Sequence, residues 1–268
     1  MDPNEIIIIF TVALFIGLSK GGLGGPVPVS LSIPLLSQIM PVSQAVGIML
    51  PLLIFADMFA MRAYWKQWDM KMIRLMLPPA FLGILLGARL LSTLPDNTLR
   101  HILGIFTLII VIYIYANELL TNLKYEHRNW HGRLAGFASG FGSALANTGG
   151  PPITGYLLLQ RVNPISVIGT FTLFFTVVNL LKIPSFIIEG IIDVNLFLSI
   201  IWVVPAIPLG VWVGRFVITR MNAQLFQQIM LIALLLGGLY MLFGTPPQTQ
   251  VAILQFPCDD IFFCGISN

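Results

Sequence analysis

The chain has 268 residues, of which 57% are hydrophobic and only 9% are charged. Because soluble domains carry roughly 25% charged residues, this composition excludes an ordinary soluble protein and predicts one that crosses a membrane several times. The formal net charge is +3, without a basic patch interleaved with aromatic residues, so we expect a lipid bilayer as partner and no nucleic acid. The first residues lack the cationic region of a secretory signal, and we expect no cleavable signal peptide.

Apolar segments occur in two successive series that follow one plan, two short runs and then three long ones. The first series comprises runs at about 6–19, 26–40, 44–61, 75–93 and 100–118. The second comprises runs at about 134–148, a shorter one to Val162, and then 165–186, 194–214 and 223–243. The short runs fall below the ~20 residues that a membrane-spanning helix needs. We therefore predict an all-α polytopic membrane protein, in which each repeat has a broken or re-entrant helix pair followed by three transmembrane helices.

Landmarks recur in the same order in both series, at offsets between 122 and 127 residues. Gly24-Gly25-Pro26 matches Gly149-Gly150-Pro151, and single residues match as Pro41 with Pro164, Gly47 with Gly169, Pro78 with Pro205, Gly83 with Gly210 and Gly87 with Gly214. A set of landmarks in constant order indicates an internal duplication. The predicted divisions are a first membrane repeat at 1–118, a cytoplasmic linker at 119–133, a second repeat at 134–243 and an extracytoplasmic tail at 244–268.

The distribution of Lys and Arg predicts the orientation, because these residues favour cytoplasmic loops. If each short pair enters and leaves on one side and the N-terminus lies outside, ten of these cations face the cytoplasm and only Arg89 and Arg100 face outward. If each pair crossed once, the division would be seven to five. The first arrangement is favoured. It makes the repeats inverted relative to each other and both termini extracytoplasmic, in a multi-pass protein of the cell inner membrane. Whether the pairs are re-entrant or cross fully stays open.

Two glycine-rich stretches interrupt the apolar runs, Gly17 to Pro26 and Gly142 to Pro151, and each ends in Gly-Gly-Pro, where a helix should stop. Backbone that is not helical cannot face lipid, because its N–H and C=O groups would lack partners. Such backbone lines the solute site in many transporters. We therefore predict that the two stretches are halves of one substrate site.

The candidate substrate-binding residues at these breaks are Lys20, Gly21, Gly24, Gly25, Asn147, Thr148, Gly149 and Gly150. A cation beside unpaired backbone N–H groups favours an anionic ligand. The alternative for Lys20 is that its side chain extends to the outer membrane surface. Ser19, Ser139 and Ser143 offer further neutral donors, but serine hydroxyls in membrane helices often bond only their own backbone.

Three of the polar residues within the long segments are candidate site residues. Asn179 falls opposite Asp57 at the 122-residue offset, so the two should lie at equivalent depth. Asp57 is the candidate carrier of a coupling proton, or the partner of a lysine, and the alternative is a structural contact between helices. Asn179 and Lys182 are candidate substrate ligands, although Lys182 could instead extend to the outer surface.

Residues for other chemistry are lacking. His101, His127 and His131 are scattered near loops and form no metal-ligand cluster, and neither a Ser-His-Asp set nor a P-loop is present. We therefore expect no enzyme activity, no metal and no cofactor. Cys258 and Cys264 could form a disulfide if the tail is extracytoplasmic, or remain free thiols.

The chain resembles the sulfite exporter TauE/SafE family in its duplicated Gly-Gly-Pro breaks and in four short motifs, Pro164–Gly169, Phe171–Phe175, Asn179–Lys182 and Pro205–Gly214. The resemblance covers roughly residues 5–243. It implies a duplicated membrane domain that transports sulfur-containing anions such as sulfite, thiosulfate or organosulfonates. We expect a secondary transporter that works by alternating access at the repeat interface, and the alternative is an anion channel that uses the breaks as a filter. The exact anion, the direction, the coupling ion and the oligomeric state stay open.

Overall fold

The computed structural model describes residues 3–21, 27–119, 128–159, 164–218 and 223–244, and every regular element within these ranges is helical. In chain order the helices are α1 (Pro3–Lys20), α2 (Val27–Ser30), α3 (Ser32–Leu36), α4 (Val42–Ala63), α5 (Met70–Thr93), α6 (Asp96–Leu119), α7 (Asn129–Ala146), α8 (Gly150–Leu159), α9 (Pro164–Ile188), α10 (Val194–Ser199), a 3₁₀ turn (Ile201–Val203), α11 (Ala206–Ile218) and α12 (Ala223–Phe243). The prediction of an all-α protein is confirmed.

Four helices within the described ranges are long and apolar enough to cross a membrane. They are Pro3–Lys20, Val42–Arg62, Met70–Thr93 and Ser166–Ile188. A helix rises 1.5 Å per residue, so about 20 residues match the ~30 Å hydrocarbon core of a bilayer. The first of these exceeds the 14-residue run predicted at 6–19, because the helix also includes Pro3 and Lys20.

The two breaks are shorter than the glycine-rich stretches that predicted them. Gly17 belongs to α1, and the N–H of Gly21 still donates to the carbonyl of Gly17 at 2.8 Å. In the second stretch only Asn147, Thr148 and Gly149 lie between α7 and α8. The role of Gly17 is in helix packing and not in the break. A Cβ at this position would collide with the main chain of α11. Gly24 and Gly25 lie outside the described residues.

The prediction of one long transmembrane helix at 194–214 is wrong, because the chain there forms α10, the 3₁₀ turn and α11. Pro205 lacks an N–H and cannot continue the hydrogen bonds of a helix that reaches it from Ile201. The equivalent Pro78 lies inside the uninterrupted helix α5, so the two repeats differ at this point.

Two predicted loops are partly helical. The basic loop after Arg62 ends at Asp69, whose carboxylate accepts from the N–H of Lys71 at 2.8 Å and caps α5. This cap satisfies a backbone donor that would otherwise be unpaired. Similarly, α7 begins at Asn129, within the segment predicted as a linker. The tail after Gly244, including Cys258 and Cys264, lies outside the described residues.

Helices α4 and α9 cross the interior in opposite directions. Gly47, near the start of α4, lies against the carbonyl of Ile191, which follows α9, and Gly169, near the start of α9, lies against the carbonyl of Gln67, which follows α4. In both places a Cβ would collide with the carbonyl oxygen. Gly47 and Gly169 are matched landmarks. The start of each helix therefore packs in the same way on the residues that follow the other helix.

The helix α6 packs on its counterpart α12, and two further pairs of helices make corresponding contacts. In α6 and α12, Gly104 lies against Leu242 and Gly238 against Thr107, so these helices also run in opposite directions. Helices α5 and α7 run side by side in the same direction, with Gly136 against Met76 and Gly140 against Ala80. The corresponding pair, α11 and α1, meets where Gly210 lies against Gly17.

Candidate functional site

The ends of the two broken helices meet at one small cavity of about 40 Å³. Its lining comes from α1, α2, α4, α7, α8 and α9, and consists of Ser19, Lys20, Val29, Leu53, Ser143, Asn147, Gly150, Phe171, Phe175 and Asn179. Residues from both breaks therefore lie side by side. Four of the predicted substrate residues line this cavity: Lys20, Asn147, Gly150 and Asn179.

Lys20, the last residue of α1, forms an ion pair with Asp57 of α4. The side chain of Lys20 is 12% exposed and that of Asp57 only 1%. The ammonium group is therefore directed at a buried acid and not at the membrane surface. A buried charge is costly unless it is paired, so each of these residues makes the other tolerable inside the protein.

Asp57 also joins α4 to α9. Its second carboxylate oxygen accepts a hydrogen bond from Nδ2 of Asn179 at 2.7 Å. Asp57 lies ten residues after Gly47 and ten before Gln67. Gly47 contacts Ile191, just after α9, and Gln67, just after α4, contacts Gly169 near the start of α9. The ion pair and the Asn179 bond therefore lie midway between the two ends at which the α4 and α9 segments meet.

Lys182 on α9 holds the end of α7. Its Nζ donates to the carbonyl of Ser143 at 3.0 Å, to the hydroxyl of Ser143 at 3.3 Å and to Oδ1 of Asn147 at 2.6 Å. These bonds use all three donors of an ammonium group. The residue is fully buried, so the alternative that Lys182 extends to the membrane surface is wrong. A cation at a helix C-terminus is also favoured by the helix dipole.

Asn147 ends α7 in the left-handed region, with φ of 53°, and its N–H donates to the carbonyl of Ser143 at 3.1 Å. This is a helix C-cap that asparagine tolerates better than most residues. Thr148 donates twice to the carbonyl of Gly142, from its N–H at 3.1 Å and its hydroxyl at 3.3 Å. The side chain of Thr148 is thus occupied by its own turn.

The remaining predicted residues that the structure describes lie behind or beside the cavity. A Cβ on Gly149 would collide with the carbonyl of Ser139, so Gly149 permits the start of α8 to pack on α7. Asp57 and Lys182 stand behind lining residues to which they are bonded, and Gly21 lines a second cavity. Gly24 and Gly25 lie outside the described residues.

The apolar wall of the cavity includes two residues that the sequence had assigned no role in binding, Phe171 and Phe175. They lie four residues apart on α9, with Asn179 four further on. Residues at this spacing share one face of a helix, so helical periodicity around Asn179 could have identified them.

A second cavity, of about 290 Å³, reaches Lys20 from the other side. It is lined by Lys20, Gly21, Phe59, Ala60, Arg62, Tyr64 and Val211. Lys20 therefore lines both cavities. It stands between the interior site and the end of the helix bundle at which Arg62 lies.

The opposite end of the bundle carries a surface ion pair between α5 and the end of α9. Nη1 of Arg89 lies 3.2 Å from a carboxylate oxygen of Glu189, and the hydroxyl of Ser92 donates to the same carboxylate. The Ser92 hydrogen bond lowers the pKa of Glu189, and Arg89 lowers it further. The side chain of Arg89 is 69% exposed, so this pair is screened by solvent.

The apolar helices and the buried polar cluster define a polytopic membrane protein with a site in its interior. Among the described residues there is no group of three or more His, Cys, Asp or Glu residues that could hold a metal ion. Comparison with protein families matches residues 9–241 to the family described as Sulfite exporter TauE/SafE, and the chain belongs to this family. It is therefore a membrane transport protein of a family that exports sulfite or related sulfur anions. Comparisons with curated proteins and with solved structures found no match.

Proposed function

We propose that this protein is a secondary transporter that carries a small sulfur-containing anion through the cavity between the two helix breaks. The observation that carries the proposal is the lining of that cavity, where Lys20 from one break and Asn147 from the other lie beside Asn179. Lys20 is the charged residue of this lining, and its ammonium group would attract an anion. The amide groups supply hydrogen bonds without the full charge that would slow release.

The substrate class that fits is a sulfur oxyanion or a small organosulfonate. The polar side of the cavity suits the oxygens of such a group, and Val29, Leu53, Phe171 and Phe175 form an apolar side that suits a short carbon chain. The present volume holds on the order of three waters. Binding therefore requires the site to widen, which favours a carrier over a channel with a permanent filter.

The two repeats would form inverted halves that move against each other. Three observations support this proposal: α4 opposes its counterpart α9, α6 opposes its counterpart α12, and the contact of α5 with α7 recurs as the contact of α11 with α1. Inverted repeats with a site at their interface are a common plan of secondary transporters.

Alternating access would open the site toward each side of the membrane in turn. The larger cavity leads from Lys20 to Arg62, on the side that the Lys and Arg distribution predicts to be cytoplasmic. At the other end, Arg89 and Glu189 join α5 to α9. We therefore assign this conformation to an inward-facing state. An inside-negative potential favours exit by ~2.3 kcal/mol per net negative charge per 100 mV, so the potential favours export of whatever net negative charge the transported species carry.

The test is a binding screen on the purified protein, with sulfite, thiosulfate, sulfoacetate and taurine as ligands and with chloride and acetate as controls. Saturable binding of at least one sulfur anion is expected, together with saturable counterflow in sealed vesicles. Equal binding of chloride would contradict the substrate class. Flux that does not saturate would instead favour the channel.

A further inference from the structure

The carboxylate of Asp57 occupies donors that a bound anion would need. One of its oxygens pairs with Lys20 and the other accepts from Asn179. Both of these donors line the interior cavity. The two donors that face the site, Lys20 and Asn179, are therefore already bonded to a carboxylate of the protein itself.

The other lysine of the site, Lys182, cannot replace Lys20. All three N–H groups of Lys182 are used by the end of α7, so contact with an anion would require breaking the cap that Asn147 forms. Lys20, by contrast, has Asp57 as the single hydrogen-bond partner of its ammonium group among the described residues. The cationic donor available to a solute is therefore Lys20, and it is shared with an acid.

Two anions on one lysine would lie a few ångströms apart in an interior that screens charge poorly. Neighbouring like charges of this kind are relieved by protonation of one of them. Thiosulfate and organosulfonates are much weaker bases than a carboxylate, so with these anions the proton is taken by Asp57 and not by the solute.

We propose that Asp57 is an internal counter-anion, which takes up one proton when the transported anion binds to Lys20. This inference rests on the proposed function. In the empty site the carboxylate neutralises Lys20; when the solute enters, Asp57 becomes a neutral acid, the ion pair with Lys20 is exchanged for one between Lys20 and the solute, and Asn179 remains bonded to Asp57. One proton is bound for each anion, so anion transport is coupled to proton movement in the same direction.

The surroundings of Asp57 contain no other carboxylate among the described residues. Lys20 faces it from α1, Asn179 and then Lys182 from α9, and the next charged residue of α4 itself is the exposed Arg62. The other described carboxylates whose side chains have known surroundings lie at the first turn of α1, at helix caps or in the surface ion pair, namely Glu5, Asp69, Asp96, Glu189 and Asp193. Asp57 is therefore the carboxylate of this site that can take up a proton, and loss of the uptake in Asp57→Asn separates it from Lys182, the buried amine of the site.

The experiment is calorimetric titration of the full-length protein in lipid nanodiscs with thiosulfate, an anion that stays ionised through the neutral range. Titration in two buffers of different ionisation enthalpy counts the protons bound. The wild type should take up one proton per anion. Its affinity should fall by up to about tenfold for each unit of rising pH.

Two variants sharpen the test. Asp57→Asn should bind thiosulfate with no proton uptake, and with one affinity at every pH that is at least as tight as that of the wild type in acid. Asp193→Asn, which keeps a residue suited to its helix cap, should still show one proton per anion.

Each outcome has a distinct meaning. Thiosulfate binding to the wild type without proton uptake overturns the inference and leaves the proposed function standing. An Asp57→Asn protein that is folded but binds much more weakly also overturns it, because Asp57 would then support the anion and not compete with it. If Asp57→Asn does not fold, the proton count of the wild type alone decides. No binding of any sulfur anion at any pH overturns the proposed function together with the inference.

Discussion

The ends of the two broken helices, α1 and α7, are each bonded to a side chain of a long helix, but their charges stand in opposite positions. At the first break the cation, Lys20, stands at the end of the broken helix and its partner Asp57 lies on α4. At the second break a neutral residue, Asn147, ends the helix and the cation, Lys182, lies on α9. In both places a side chain of the next long helix holds the end of the broken helix, as a tie between the two helices. The two ends differ in whether the cation stands on the broken helix or on the long one.

The difference has a mechanical consequence. The first tie is an ion pair that protonation of one carboxylate can open. The second consists of three hydrogen bonds from a fully buried ammonium to neutral groups of α7, and it involves no carboxylate. We therefore expect the end of α1 to be the part of the site that moves during transport, and the end of α7 to stay in place.

The largest effect should come from filling space at the second break. Gly149→Val should abolish transport and lower the thermal unfolding midpoint strongly, because the new side chain would collide with the carbonyl of Ser139, and overpacking costs about 1–3 kcal/mol or more. The matched control is Leu134→Val on the exposed face of α7, which should behave like the wild type. Normal vesicle transport by Gly149→Val would show that this break is not rigid.

The next effect should separate the two lysines by stability. In mildly acidic buffer, Lys182→Met should destabilise the protein more than Lys20→Met. It leaves the oxygens of Asn147 and Ser143 buried without a donor, at about 1–3 kcal/mol for each such group, whereas the carboxylate of Asp57 that loses Lys20 can become neutral by protonation. Thermal unfolding of both variants in the same detergent measures this. If Lys20→Met has the lower midpoint, the assignment of the rigid and movable ties is reversed.

Anion affinity should rank the lysines differently. Lys20→Ala should weaken thiosulfate binding about ten- to a hundredfold, which corresponds to a charged hydrogen bond of about 1.5–3 kcal/mol. Lys71→Ala is the control, because Lys71 is an exposed cation on the first turn of α5, whereas Lys66 has φ of 62° and would add a backbone effect. Equal loss in both variants would remove Lys20 from the site.

The smallest effect should come from the ion pair outside both breaks, which provides the baseline. Arg89→Gln should leave anion affinity unchanged and the unfolding midpoint close to that of the wild type, because exposed pairs contribute little. Because the pKa of Glu189 is lowered in the folded protein, its contribution is present at neutral pH and is lost as the pH falls through that pKa. Any difference between Arg89→Gln and wild type should therefore vanish in acid, and a difference that grows in acid would contradict this.

Much of the fold could be predicted because hydropathy is a local property. The long apolar runs located α4, α5, α6, α9 and α12 to within a few residues. The interruption at Pro205 was missed, since proline also occurs within α5 at the matched Pro78 and composition does not distinguish the two cases. The length of each break was overestimated, because glycines that allow close helix packing resemble glycines that unwind a helix.

The candidate site could be predicted only in part, because sequence spacing indicates depth along a helix but not the partner of a side chain. The repeat offset placed Asp57 and Asn179 at one depth, and the structure joins them by a 2.7 Å hydrogen bond. The partners of the lysines could not be predicted in this way. No periodicity connects Lys20 with Asp57, 37 residues away, or Asn147 with Lys182, 35 residues away.

By itself the sequence determined a helical membrane protein with two helix breaks and a few charges within apolar segments, and it predicted a duplicated plan, because each of these follows from composition or spacing. Only the tertiary structure decided that both breaks end at one cavity, that Lys20 is shared with an acid and that Lys182 is fully occupied by the end of α7. The physical reason is that a buried charge takes whichever partner helix packing brings within hydrogen-bonding distance, and that distance is set by contacts between residues far apart in the chain.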